Sequence, residues 1–150
     1  MDTGLVEVFV EIPLGGGVRH RHKPRGESPI EAFPGTDVVP ALALVAYGCI
    51  PGTLNPADGS ALDAYVLGAE GIAAGSSVSC KIIGIRLRNN GDHKVLTVAA
   101  GHSLRTVDDV GQLPPAVLET LALWDETRLR PGERWGSAEE GRTWISRCWI

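Results

Sequence analysis

The chain has 150 residues, of which 43% are hydrophobic and 21% charged, an ordinary balance for one globular domain over residues 1–150. Its net charge is −4 and its basic residues are scattered apart from Arg19 to Arg25, so we expect no nucleic-acid partner. Because no apolar run reaches the roughly 18 to 20 residues that span a bilayer, and no signal peptide pattern occurs, we expect a cytoplasmic protein without a membrane partner.

Strand patterns fill most of the first hundred residues. Leu5–Ile12 alternates apolar and acidic side chains, the period of a half-buried strand. The polar run R-H-R-H-K-P-R-G that follows predicts an exposed hairpin arm, and the proline-rich stretch 28–40 predicts irregular surface chain. Apolar runs bounded by glycine or polar turns then predict four further strands: Ala41–Tyr47, Ala64–Leu67, Ser77–Leu87 and Val95–Ala99.

The last third of the sequence has helical signals. One helix is predicted to begin at Pro114 or Pro115 and to stop before Pro131-Gly132. A second begins at Ser137, with Glu140 three positions later in the capping-box arrangement. The predicted fold class is therefore α+β, a small barrel with helices at its C-terminal end.

The three cysteines Cys49, Cys80 and Cys148 are odd in number and widely spaced. That pattern fits buried, reduced thiols better than a disulfide framework or a zinc site.

Two polar constellations are candidates for chemistry. In the run Asp58-Gly59-Ser60-Ala61-Leu62-Asp63, two carboxylates can converge on one hard cation, or the run is a turn held by local backbone bonds. In the run N-N-G-D-H-K that ends at Lys94, Asp92 and Lys94 share one face and could hold a metal and neutralise a phosphate. The alternative is again a plain hairpin turn.

The histidines suggest less. His20 and His22 alternate with arginines, which favours a solvated basic arm over a metal site and leaves open an arm that contacts an anion.

The fragments E-I-P from Glu11, Y-G-C-I-P-G-T-L from Tyr47 and D-G-S-A-L-D from Asp58 occur in the order found in the soluble, family I type inorganic pyrophosphatases. The sequence resembles that family from about Val6 to Ile145. The resemblance implies a five-stranded OB-like barrel that holds diphosphate with Mg²⁺ or Mn²⁺. The number of ions, including none, stays open.

The resemblance also implies roles for individual residues. Asp58, Asp63 and Asp92 match metal ligands, although the shortened loop leaves Asp92 open to another pairing, and Glu11 matches an outer metal-site acid. The implied substrate-binding residues are Tyr47, Lys94, Arg19 and Arg128.

The departures from the family pattern bear on catalysis. Ser60 replaces the acid that assists the attacking water, and serine cannot accept that proton at neutral pH. Asn89 replaces a further acid, and Ala43 and Thr127 replace tyrosines that contact phosphate. His93, next to Asp92 and Lys94, or His20 is a candidate acid or base if the fold serves another small molecule.

These features predict a divergent pyrophosphatase-like enzyme with metal-dependent chemistry on a phosphate- or diphosphate-containing or other small molecule, and with diphosphate hydrolysis weakened or lost. Two alternatives stay open, a working Mg²⁺-dependent inorganic diphosphatase and a non-catalytic binding or assembly protein. We also expect a homo-oligomer, because Trp144 and Trp149 could form a subunit interface.

Overall fold

A computed structural model describes residues 5–12, 18–20, 30–32, 45–68, 72–73, 75–101, 103–123 and 129–150. The strands in chain order are β1 (Leu5–Ile12), β2 (Val18–His20), β3 (Ile30–Ala32), β4 (Val45–Ile50), β5 (Leu62–Leu67), β6 (Ser77–Leu87), β7 (Lys94–Ala99) and β8 (Arg134–Ser137). The helices are α1 (Pro115–Leu123) and α2 (Ala138–Cys148), with short 3-10 helices at Ser103–Thr106 and Val110–Gln112.

Five strands close into a barrel in the order β1, β4, β5, β7, β6, and pairing of β1 with β6 completes the circle. Neighbours in this barrel are antiparallel except β5 and β7, which run parallel. β8 extends β6 outside the closed circle. The predicted small barrel with C-terminal helices is therefore confirmed. Closure pairs each of the five strands on both sides, and β6 pairs in addition with β8.

The barrel strands follow the sequence patterns closely, and β1 and β6 have the predicted bounds. β4, however, continues through Gly48 to Ile50, where we expected a loop. The glycine is needed inside this strand because a Cβ there would collide with the carbonyl oxygen of Phe9 on the neighbouring β1. The predicted start of β4, residues 41–44, lies outside the described residues.

Three short strands were not among those that the sequence patterns predicted. β2 and β3 pair antiparallel, as a hairpin arm would, but β3 lies in the stretch 28–40 that we expected to be irregular. β8 was not predicted at all, because its four residues are too few for a period-two pattern.

Both predicted helices are present. α2 begins after the N-cap Ser137, and the reciprocal bonds of the capping box with Glu140 are both formed. α1 spans Pro115–Leu123. Of the remainder of its predicted length, residues 124–128 lie outside the described part of the chain and residues 129–130 are not helical.

Alternate strand residues form two apolar clusters. One joins side chains of all five barrel strands to Ile145 and Cys148 of α2. The other consists of side chains from β4, β5, β6 and β7 and from the segment Val107 to Leu121, which ends within α1. All three cysteines are buried and free, as expected, and burial raises the pKa of Cys80 to about 12. In the described part of the chain, no helix is long and apolar enough to cross a membrane.

Candidate active site

The parallel register of β5 and β7 places Asp63 opposite Lys94. The Lys94 ammonium is buried and its Nζ lies 2.7 Å from Asp63 Oδ2. The same Nζ donates to the hydroxyl of Tyr47, 2.9 Å away on β4. Three residues that sequence reasoning singled out are therefore held together by strand pairing, with the lysine between an acid and a phenol.

Asp58 reaches the same place from the turn before β5. Gly59 supplies the left-handed backbone of that turn, with φ of 73°. Asp58 Oδ1 accepts the backbone N–H of Ser60 at 2.9 Å, so the turn reading of this run is also correct. Ser60 itself is exposed.

Asp92 approaches from the loop between β6 and β7. Gly91, with φ of 79°, makes the turn, and Asn90 Oδ1 accepts the Asp92 N–H at 3.0 Å. Asp92 Oδ2 lies 3.7 Å from Lys94 Nζ, which confirms that the two residues share one side. The loop is thus both a tight turn and the carrier of a site residue.

The three carboxylates of Asp58, Asp63 and Asp92 offer ligand atoms that all lie within 4.8 Å of one another. An all-oxygen, anionic donor set at this spacing fits a hard divalent cation such as Mg²⁺. The two more buried acids contact Lys94, which offsets part of their mutual repulsion. The side chains present therefore fit the metal that the resemblance implied.

The electrostatics of Asp92 reflect this crowding. Burial raises the pKa of its carboxyl, and the Lys94 ammonium acts in the opposite direction. Repulsion from Asp63 and Asp58 adds to the burial, and the pKa stays above its ordinary value.

A network of buried polar side chains packs against Tyr47, one of the two residues that bond Lys94. Tyr65 packs against the ring of Tyr47, with centroids 5.7 Å apart, and its hydroxyl accepts from Arg86 at 3.3 Å. Arg86 also donates to Glu133 Oε1 at 3.0 Å. Sequence reasoning missed this network because an arginine and a glutamate 47 residues apart carry no local signal of their pairing.

Two further predicted site residues, Glu11 and His93, are not part of this three-acid group. Glu11 is buried at the end of β1 but does not belong to the converging group. His93 accepts the Arg88 N–H at Nδ1, and its ring packs on Trp144 of α2 with centroids 4.9 Å apart. Burial lowers the pKa of His93. Its role as an acid or base stays a prediction.

The remaining predicted positions are only partly described. Asn89 is exposed and donates from its amide to the Pro131 carbonyl, so it anchors a neighbouring turn. Arg19 lies on β2, but its side chain is outside the described residues, as are the side chain of His20 and the whole of Arg128, Ala43 and Thr127. Their predicted phosphate contacts stay predictions.

Comparison with known proteins gives a uniform result. The family model described as inorganic pyrophosphatase matches residues 8–148. An inorganic pyrophosphatase of Saccharolobus solfataricus is 28% identical over 95% of this chain and 89% of its own length. One of Aquifex pyrophilus is 30% identical over 91% and 80%. The solved inorganic pyrophosphatase of Thermus thermophilus is 26% identical and superimposes with a TM-score of 0.70, covering 97% of this chain and 92% of that one.

Proposed function

Because the chain belongs to the inorganic pyrophosphatase family, we propose that it hydrolyses inorganic diphosphate to phosphate with the help of Mg²⁺ or Mn²⁺. The observation that carries this proposal is the convergence of Asp58, Asp63 and Asp92 beside the buried Lys94. The relatives named inorganic pyrophosphatase support it over the expectation that hydrolysis is lost.

In this proposal the three aspartates hold the divalent ion. When bound, the ion supplies neutralisation of phosphate charge and a lowered pKa for a coordinated water. Lys94 lies between Asp63 and Asp92 and presents its ammonium to the phosphate oxygens. Tyr47, whose hydroxyl accepts from Lys94, fixes the direction of that ammonium.

The site departs from the family pattern at the residue that would accept the proton of the attacking water. Ser60 offers no carboxylate, and general base catalysis is typically worth about 10² to 10⁴ in rate. We therefore expect hydrolysis that is slow for an enzyme of this type rather than absent. Arg19 and Arg128 remain our proposed contacts to the second phosphoryl group.

A second candidate function is hydrolysis of an organic phosphate or diphosphate. Ser60, and the small residues Ala43 and Thr127 at positions where the family has tyrosines, favour this reading because they would leave room for an organic group. The same metal ligands would serve it.

Phosphate release from a substrate panel with Mg²⁺ decides between the two. The panel contains diphosphate, a nucleoside diphosphate and an aryl phosphate, each at equal concentration. Faster release from diphosphate supports our proposal, and faster release from either organic compound supports the second candidate. Background release from all three favours a non-catalytic binding protein.

Self-association is a separate proposal. Trp149 is 53% exposed, and a backbone bridge joins it to Thr53, whose chain neighbour Leu54 is 44% exposed. Trp144, by contrast, is partly buried against the core, so it offers less exposed surface to a second copy of the chain. Sedimentation velocity of the wild type and of Trp149→Ser tests a homo-oligomer that uses this exposed surface.

A further inference from the structure

Asn55 joins the two loops that carry the candidate metal ligands. It is completely buried, in the turn between β4 and β5. Its Nδ2 donates to Asp92 Oδ1 at 2.8 Å, across 37 residues of sequence. Its Oδ1 accepts the backbone N–H of Ala57 at 2.9 Å. One side chain thus touches the loop of Asp92 and shapes the loop of Asp58.

The backbone of Asn55 is equally engaged. Its N–H donates to the Ser60 carbonyl at 2.7 Å, and its own carbonyl accepts from Gly59 at 2.8 Å. These bonds close the turn in which Asp58 sits. Asn55 therefore stabilises that turn through both its backbone and its side chain.

The chemistry of the partners determines how the carboxamide is oriented. A backbone N–H can only donate, so the group facing Ala57 must be the oxygen. An ionised carboxylate can only accept, so the group facing Asp92 must be the nitrogen. An ionised aspartate has the same shape but has no donor, so asparagine alone of the two satisfies both contacts.

We propose that Asn55 is a positioning residue for metal binding, which aims the Asp92 carboxylate at the group formed with Asp58 and Asp63. The inference rests on the proposed function of that site. Without the donor, Asp92 would keep only its ion pairs with Lys94 at 3.7 Å and Arg88 at 3.8 Å, while the two neighbouring carboxylates would repel it from the position that the metal site needs. Groups that orient metal ligands in this way typically contribute about 10- to 100-fold in metal affinity.

The test uses Asn55→Ser and Asn55→Ala on the full chain. Serine can keep the bond to the Ala57 N–H, as an ST turn, but is too short to reach Asp92. Alanine loses both contacts. The control is Thr53→Val, which removes a buried hydroxyl that bonds the Ile50 carbonyl and the Leu62 N–H in the same turn but touches no acid.

The readout is calorimetric titration with Mg²⁺ and with Mn²⁺, in the absence of diphosphate. We expect Asn55→Ser to weaken affinity about 10- to 100-fold and Asn55→Ala at least as much, with Thr53→Val within about threefold of the wild type. If Asn55→Ala fails to fold, Asn55→Ser carries the test, since it retains the turn.

Three results would overturn the inference. They are wild-type affinity in Asn55→Ser, an equal loss of affinity in Thr53→Val, and no binding of either ion by the parent chain. A parent that binds Mg²⁺ but releases no phosphate from diphosphate contradicts the proposed function instead, and leaves the titrations decisive for Asn55.

Discussion

Lys94 and Asp63 face each other across the parallel strands β5 and β7, with Nζ 2.7 Å from Oδ2. The barrel therefore builds the cation and the acid into adjacent strands, where their separation depends on backbone pairing rather than on flexible loops. Asp58 and Asp92 then join this pair from two turns. The arrangement brings three carboxylates together, and two of them contact one buried ammonium.

Lys94→Met should destabilise the metal-free protein. Methionine fills similar space but leaves Asp63 and Asp92 without the ammonium between them, and removal of one partner of a buried pair typically costs about 3 to 5 kcal/mol. Added Mg²⁺ should restore part of that loss. Urea denaturation with chelator and with Mg²⁺ measures both effects.

The control for this change is Lys81→Met. Lys81 pairs with Asp108 at a surface position, where ion pairs contribute at most about 1 kcal/mol. Equal destabilisation by the two variants would mean that the Lys94 ammonium contributes no more to stability than a surface ion pair does.

Ser60→Asp should raise the rate of diphosphate hydrolysis about 10²-fold. Position 60 is exposed and lies two residues from Asp58, so a carboxylate there can accept the proton of the attacking water. The matched control is Ser60→Asn, which has the same shape and no basic oxygen. A steady-state phosphate assay in which both variants match the wild type would show that the proton acceptor is not the missing element.

The stability of the protein should fall steeply in acid because of Glu133. Burial alone would raise the pKa of this carboxyl, but hydrogen bonds from the Arg130 N–H, the Arg86 guanidinium and the Asn89 N–H lower it to about 2. The folded-state pKa is depressed, so the stabilisation is present above about 4.5 and is lost as pH falls toward about 2.

Glu133→Gln should remove roughly 2 to 3 kcal/mol of that pH-dependent stability. Free energies of unfolding at pH values between about 2 and 6 measure it as a flatter profile than that of the wild type. The control is Glu119→Gln, at an exposed position on α1. Parallel profiles for all three proteins would contradict the role assigned to Glu133.

Ser137→Ala should cost about 1 kcal/mol through loss of the N-cap of α2. Its hydroxyl accepts the Glu140 N–H at 3.1 Å, while the Glu140 carboxylate accepts the Ser137 N–H at 3.0 Å. Ser146→Ala, farther along the same helix, should change stability by less than about 0.5 kcal/mol. Thermal denaturation of both variants compares them, and equal shifts would argue against the cap.

Local pattern explains what the sequence predicted well. The alternation of Leu5–Ile12 and the long apolar run Ser77–Leu87 specify strands by themselves, and Ser137 with Glu140 specifies a helix start. The aspartates Asp58 and Asp63 could be identified because they lie within six residues of each other.

What the sequence could not supply depends on distant contacts. Asn55 reads as an ordinary turn residue until its bond to Asp92, 37 residues away, is known. No local pattern marks Arg86 for burial, yet it is buried against Tyr65 and Glu133. Gly48 reads as the start of a loop, because only the approach of β1 shows why a strand needs a glycine there.

The central claim is metal-dependent hydrolysis of diphosphate at the three aspartates, and phosphate release by the wild type and by Asp63→Asn, with Mg²⁺ and with chelator, tests it most directly. Circular dichroism first confirms that both proteins are folded. We predict Mg²⁺-dependent release by the wild type and a loss of at least about 10²-fold in Asp63→Asn. Release at background level by the wild type, or equal rates for the two proteins, would contradict the claim.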